Sequence, residues 1–318
     1  MSGANPGNRS LLARIGGRVR RAVLGDRVLV PKRIADPMWH LERGRSRIRG
    51  GEMVVRFDNL DADIALDARS DLAVRALGEG AYEPELLTAL PAFVGRGDAI
   101  NVGANVGVVA IVMRRAMATD ARLLCVEPIE ECVERLRRNL ASAGCEAGVT
   151  ICRAFATDKS SGTQQMWTVP GRPEYSSGGR LVHPSVTGAE HRSTVVPAIR
   201  LDDAVAAEGL APTSIVMDCE GGEFNALRGA RAILAASQPT IVMEFDPPLL
   251  RANGGDAASF LGFLAELGYA CRTLTKAAEP VTEHFAGTAV AIPVSRIQWA
   301  ESVIHGAFAA AVAAQSRG

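Results

Sequence analysis

From residue 98 onward the chain alternates short, nearly all-apolar runs with longer segments of helical spacing. The runs are AINVG (99–103), RLLCVEP (122–128), VTICRAFA (149–156), SIVMDCE (214–220), TIVMEFDP (240–247), YACRTL (269–274) and TAVAIP (288–293). Between them, VGVVAIVMRRAM (106–117), IEECVERLRRNLASAG (129–144), FNALRGARAILAAS (224–237) and SFLGFLAELGY (259–269) read as helices. Strands that are apolar on both faces and alternate with helices predict a mostly parallel sheet covered on each side. The expected fold class is therefore α/β, doubly wound, with seven strands.

Upstream, EMVVRFDNLDADIAL (52–66) alternates apolar and polar positions around a turn and predicts a hairpin. Residues 70–78 read as a short helix. Leu86, Leu87, Leu90 and Phe93 have helical spacing, with Pro84 suited to the first turn. An irregular stretch rich in Gly, Pro and Ser interrupts the rhythm at about 159–203, and STVVPAIRLDD at its end contains a strand. Such excursions often form substrate loops. Trp299, Val303, Ala307 and Ala311 define one face of a C-terminal helix. These readings divide the chain into an N-terminal extension (1–50), a hairpin-and-helix lead-in (51–97), a core (98–295) and a terminal helix (296–318).

Charge changes the picture only at the N-terminus. The whole chain has 35 basic and 35 acidic residues, which argues against a general nucleic-acid coat. Residues 1–50 hold 12 basic residues and 3 acids, a local balance of 12 − 3 = +9. SLLARIGGRVRRAVLG could touch a membrane surface or a partner's groove, although Gly16 and Gly17 interrupt its helix pattern, and a partly flexible leader is the simpler reading. No run of eighteen apolar residues predicts a transmembrane segment. The six cysteines form no C-x-x-C pair and mostly lie in apolar runs, so they read as reduced core residues of a cytoplasmic protein.

Candidate chemistry gathers at the ends of the runs. NVGANVG places Gly103, Ala104, Asn105 and Gly107 between strand and helix, where a backbone can approach a ligand and offer N–H groups. The spacing is not that of the dinucleotide fingerprint, nor of the ATP-binding loop. Glu127 ends the second run, 127 − 107 = 20 residues after Gly107, where an acid can accept from ribose hydroxyls. Asp158 ends the third, beside a place for adenine. An adenosine derivative without a phosphate requirement, S-adenosylmethionine, fits this set best. A nicotinamide-dependent oxidoreductase is a rival reading.

INVGANVG, CVEP, IRLDD, IVMDCEGGEFNALRGA and IVMEF together resemble the FkbM-type S-adenosylmethionine-dependent methyltransferases, over about residues 79–246. The resemblance implies a class I methyltransferase fold and methyl transfer to a hydroxyl of a sugar or natural product, with N-methylation known in such families. This chain departs from the family pattern at Asn101, where an acid is common, at Val216, where Lys is often found, and in EGGE, where EGAE is usual. Those departures also motivate a non-catalytic binding module as an alternative.

A hydroxyl acceptor must lose a proton, so Asp218 and Glu220 are the candidate bases, with Glu223 read as a helix cap. Asn101 could orient the cofactor's amino group, and Glu83 could approach it. His183, His191 and Glu244 are candidate substrate contacts. Glu244 and Asp246 could also join Asp218 and Glu220 around Mg²⁺, but no metal ligand set is assigned.

Overall fold

A computed structural model describes residues 46–49, 51–57, 60–70, 72–73, 82–159, 162–170, 172, 175–178 and 190–315. The basic segment before residue 46 and most of the expected 70–78 helix lie outside these residues.

The hairpin is present as β2 (Glu52–Phe57) and β3 (Ala62–Asp67). A preceding strand, β1 (Ser46–Arg49), pairs with β2 and carries order back into the stretch read as extension. Pro84 then opens α1 (Pro84–Val94), which buries Leu86, Leu87, Leu90 and Phe93 as the spacing predicts. The core follows as β4 (Asp98–Val102), α2 (Val108–Ala116), β5 (Leu123–Val126), α3 (Glu130–Ser142) and β6 (Val149–Cys152).

The third run is shorter than expected. It breaks after Cys152, and β7 (Phe155–Ala156) leaves the main sheet to pair with β9 (Arg192–Ile199). β9 also forms an antiparallel pair with β8 (Thr163–Thr168), so the insertion carries a small sheet of its own.

The second half contains α4 (Leu201–Glu208), β10 (Pro212–Met217), α5 (Glu223–Arg228), α6 (Arg231–Ser237) and β11 (Thr240–Phe245). It ends with α7 (Pro247–Ala252), α8 (Ala257–Glu266), β12 (Tyr269–Thr273), β13 (Gly287–Pro293) and α9 (Ile297–Gln315). The predicted single helix over 224–237 is two helices. The terminal helix buries Ala300, Ile304, Ala307 and Ala311, so its seam includes two of the four expected positions. Trp299 instead sits 38% exposed, edge-on to Phe93.

The main sheet runs β12-β13-β11-β10-β4-β5-β6. Only β13 is antiparallel to its neighbours. This is the doubly wound, mostly parallel, seven-stranded arrangement expected. Alternate residues feed two apolar layers. Ala99, Val216, Val242 and Val290 face α1, α2 and α9, whereas Ile100, Ile215, Met217 and Ile241 face α6 and α8. Strand order reverses between β4 and β10, and the crevice at such a reversal is where open α/β sheets bind ligands. Among the described residues no helix is long and apolar enough to cross a membrane. All six cysteines are free of disulfides.

Candidate active site

The crevice is a cavity of about 520 Å³ at the carboxyl ends of β4, β10 and β11. Its first wall is the loop from Gly103 to Gly107. Gly103 has φ 72, and a Cβ there would overlap the Asp218 carbonyl. Gly107 has φ 97, and a Cβ there would strike Leu136 of α3. Left-handed backbone and neighbouring protein thus each require glycine at both positions, which also line the cavity.

The loop also differs from expectation in its amides. Gly103 and Ala104 N–H both donate to the Val126 carbonyl, at 2.9 and 3.2 Å, and Gly107 N–H donates to Ala104 at 2.9 Å. Asn105 N–H donates to Glu127 Oε2 at 2.8 Å. These four donors are spent inside the protein because the loop folds over the end of β5. An anion cradle of the kind phosphates need is not formed by them.

Glu127 is 5% exposed and accepts a second bond from Ile129 N–H, at 2.9 Å on Oε1. Burial pushes its carboxyl up to about 7, against the pull of these two backbone donors. A carboxylate has about four lone-pair positions. Two serve the backbone, leaving two for ligand hydroxyls.

Asn101 lies under the same loop, 2% exposed. Its Nδ2 donates to the Val216 carbonyl at 3.2 Å, and its buried Oδ1 has no partner. An acceptor in that state costs roughly 1–3 kcal/mol unless a donor meets it. The residue lines the cavity, where a ligand ammonium would be a suitable donor.

The opposite wall is acidic. Asp218 is exposed to the cavity, and Glu220 (φ 53) and Glu244 line it beside Asp218. Carboxyl oxygens of Asp218, Glu223 and Glu244 lie within 4.8 Å of one another. Glu244 is hydrogen-bonded to Asp218, while its Oε2 is buried without a partner. Burial first, and the neighbouring Asp218 and Glu220 charges next, push Glu244 far up, to about 11. Burial and the acids around it thus favour the protonated form of Glu244. Glu223 is 1% exposed and reaches back to Cys219 N–H at 2.6 Å. It ties the DCEGGE turn together, whereas the helix cap expected of it is not formed, since no side chain caps the start of α5.

The other expected residues fall differently. Glu83 lines the cavity from the start of α1, in left-handed backbone (φ 34). Asp158 does not reach the cavity. It forms an ion pair with Arg228 at 2.9 Å, because β6 ends early and the chain turns toward β9. Asp246 is also drawn away, accepting from Leu249 N–H as the cap of α7. His191 is exposed against Trp167, outside the lining, and His183 lies outside the described residues.

Some contributors were not foreseen. Phe155, Met166, Tyr175 and Ser176 line the cavity from the insertion and its approach, Tyr82 from before α1 and Thr288 from β13. Asn139 of α3 accepts from Ala65 N–H at 2.8 Å and donates to the carbonyls of Ala65 and Val106, at 3.1 and 2.7 Å. It therefore locks the glycine loop to the hairpin. Its sequence signal is an amide on the apolar side of an amphipathic helix, between Leu136 and Leu140.

The sequence profile of the methyltransferase FkbM domain matches residues 101–271, more than half of the chain. No curated protein matches. Among solved structures, the chain is similar to a methyltransferase FkbM from Methylobacillus flagellatus KT, at 16% identity and TM-score 0.39, over 62% of this chain and 43% of that one. It is similar to a SAM-dependent O-methyltransferase from Thermotoga maritima, at 14% identity and TM-score 0.38, over 67% and 66%. It is also similar to an O-methyltransferase from Bacillus cereus in complex with SAH, at 13% identity and TM-score 0.42, over 70% and 88%. The chain spans less than two thirds of the length of the first two proteins.

Proposed function

The chain belongs to the methyltransferase FkbM domain family, and on that premise we propose that it transfers a methyl group from S-adenosylmethionine to a hydroxyl of a sugar-like or natural-product acceptor. The observation that carries the cofactor assignment is the buried, unpartnered Oδ1 of Asn101 on the cavity floor. It meets the need of the ligand's ammonium group. Glu127 would accept from the ribose hydroxyls with its remaining lone pairs, and the segment Ala154–Ala156 would border the adenine. Asp158 is replaced in that last role.

The internal use of the loop amides favours a phosphate-free ligand and counts against a nicotinamide dinucleotide. S-adenosylmethionine supplies an electrophilic methyl carbon on a sulfonium. The chain's own part is to hold the acceptor, exclude water and take up a proton. Asp218 is the accessible carboxylate for the acceptor hydroxyl. Glu244, whose protonated form burial favours, is hydrogen-bonded to Asp218 and would orient it. Glu220 lines the same wall and completes the acceptor's surroundings.

Isothermal titration of the protein with S-adenosylmethionine tests the reading. Saturable binding supports it, and no heat at millimolar ligand sinks it.

A further inference from the structure

A second cavity of about 560 Å³ adjoins the first, and Phe155 lines both. Phe155 is 8% exposed, and Gly178 packs so closely on its ring that a Cβ there would overlap it. The Gly178 carbonyl accepts from Gln164 Nε2 at 2.8 Å, which fixes this side of the partition. The other side is held by Asn253, whose Nδ2 donates to the Glu220 carbonyl at 3.1 Å.

The two cavities differ in sign. Glu83, Asp218 and Glu220 line the first, beside Glu127 and Glu244, whose protonated forms burial favours, and among the described residues no Lys or Arg does. The second is lined by Lys159 and Arg251, with one acid, Asp158, that Arg228 already neutralises at 2.9 Å. Among the described residues, no side-chain hydrogen bond or ion pair engages Lys159 or Arg251. Gln164 also lines it, with its amide nitrogen already donating to the Gln165 and Gly178 carbonyls at 3.0 and 2.8 Å, and Asn225 adds a neutral amide. An anionic group is repelled by the first cavity's carboxyls and attracted by the second's cations. A guanidinium and an ammonium together suit an oxyanion, the guanidinium by its planar fork.

We propose that the second cavity is an acceptor subsite for an oxyanion, so that the methylated molecule is a hydroxylated compound bearing a phosphate or carboxylate. The proposal rests on the methyltransferase reading of the first cavity and specifies its substrate class. The acceptor lies across the Phe155 partition, its hydroxyl toward Asp218 and its anion between Lys159 and Arg251. Salt screens the exposed cations, so affinity falls with ionic strength.

The test is isothermal titration of the full chain with inorganic phosphate, glucose 1-phosphate, glucuronate and glucose. Wild type, Lys159→Gln, Arg251→Gln and the double variant are compared, each also titrated with S-adenosylmethionine. Both side chains are exposed, so the variants should keep the wild-type unfolding midpoint. The expected result is binding of at least one oxyanion probe at least tenfold tighter than glucose. That affinity drops severalfold in each single variant and at least about thirtyfold in the double variant, while S-adenosylmethionine binds all four proteins alike. Preference for the phosphates over glucuronate identifies a phosphate site, and the reverse identifies a carboxylate site. Absence of oxyanion binding, equal binding of glucose, or undiminished binding in the double variant overturns the proposal. Whether wild type binds S-adenosylmethionine decides the methyltransferase reading separately.

Discussion

The backbone N–H of Asn105 donates to Oε2 of Glu127 at 2.8 Å, across 22 residues of sequence. One side chain thereby anchors the glycine loop and presents its other lone pairs to the cavity. Glu127→Ala removes both functions. Cofactor binding should weaken by roughly 1.5–3 kcal/mol, the scale of a hydrogen bond to a charged group. Amide exchange at Asn105 and Ile129 should accelerate, since both lose their acceptor. A dissociation constant equal to wild type would remove Glu127 from the ribose site.

Glu223 makes stability depend on pH. Its carboxyl is pushed up to about 7 by burial, with the Cys219 N–H bond opposing. A group whose folded pKa is raised favours the folded state when protonated. Its contribution is full below about 4.5 and is lost as pH rises through about 7. The loss amounts to about 3 kcal/mol, at roughly 1.4 kcal/mol for each pH unit of the shift. Glu223→Gln keeps an acceptor for Cys219 and cannot ionise. Denaturant unfolding of both proteins from pH 4.5 to 8 should show wild type losing stability relative to the variant. Parallel pH curves would contradict the role given to Glu223.

The strands of the main sheet were legible because each is a short apolar run, and burial on both faces requires that. What escaped the pattern was set by distant contacts. The apolar period continues across 224–237, yet the chain breaks at Gly229. There the Gly229 carbonyl accepts from Asp202 N–H at 2.9 Å, and the Asp202 carboxylate accepts from Ala232 and Ile233 N–H to start α6. The IRLDD stretch thus has a structural task that local spacing does not reveal. VTICRAFA is likewise uniform in character, but its last residues pair with β9, and Asp158 follows them away from the site. In the site, the acids at strand ends were readable as lone charges after apolar runs. Which of them share a proton was not, because that depends on β10 and β11 lying side by side.

Asn101→Leu separates cofactor recognition from folding. The variant loses the bond to the Val216 carbonyl and also loses the unpartnered Oδ1. Those changes oppose each other in stability, so the unfolding midpoint should move little. Cofactor affinity should fall by roughly 1–3 kcal/mol, because the ligand ammonium would lose its acceptor. Isothermal titration and denaturant unfolding check the two halves. Unchanged affinity would place the ammonium elsewhere.

The Asp218–Glu244 pair makes the last prediction, and it distinguishes two carboxyls that sequence alone treats alike. If Asp218 is the base, Asp218→Asn should lower turnover by roughly 10²–10⁴-fold while cofactor affinity stays near wild type. Burial and the neighbouring acids favour the protonated form of Glu244. A carboxamide also donates, so Glu244→Gln should keep most of the activity. Glu244→Leu fills similar space without a donor and should lose much more. In that variant Asp218 loses its hydrogen bond and becomes easier to protonate, so the acidic limb of its pH–rate profile should move to higher pH. Assays with an accepted hydroxyl substrate across pH 5–9 give the order directly. Should Glu244→Gln prove as inactive as Asp218→Asn, the proton assignment is reversed and Glu244 is the base.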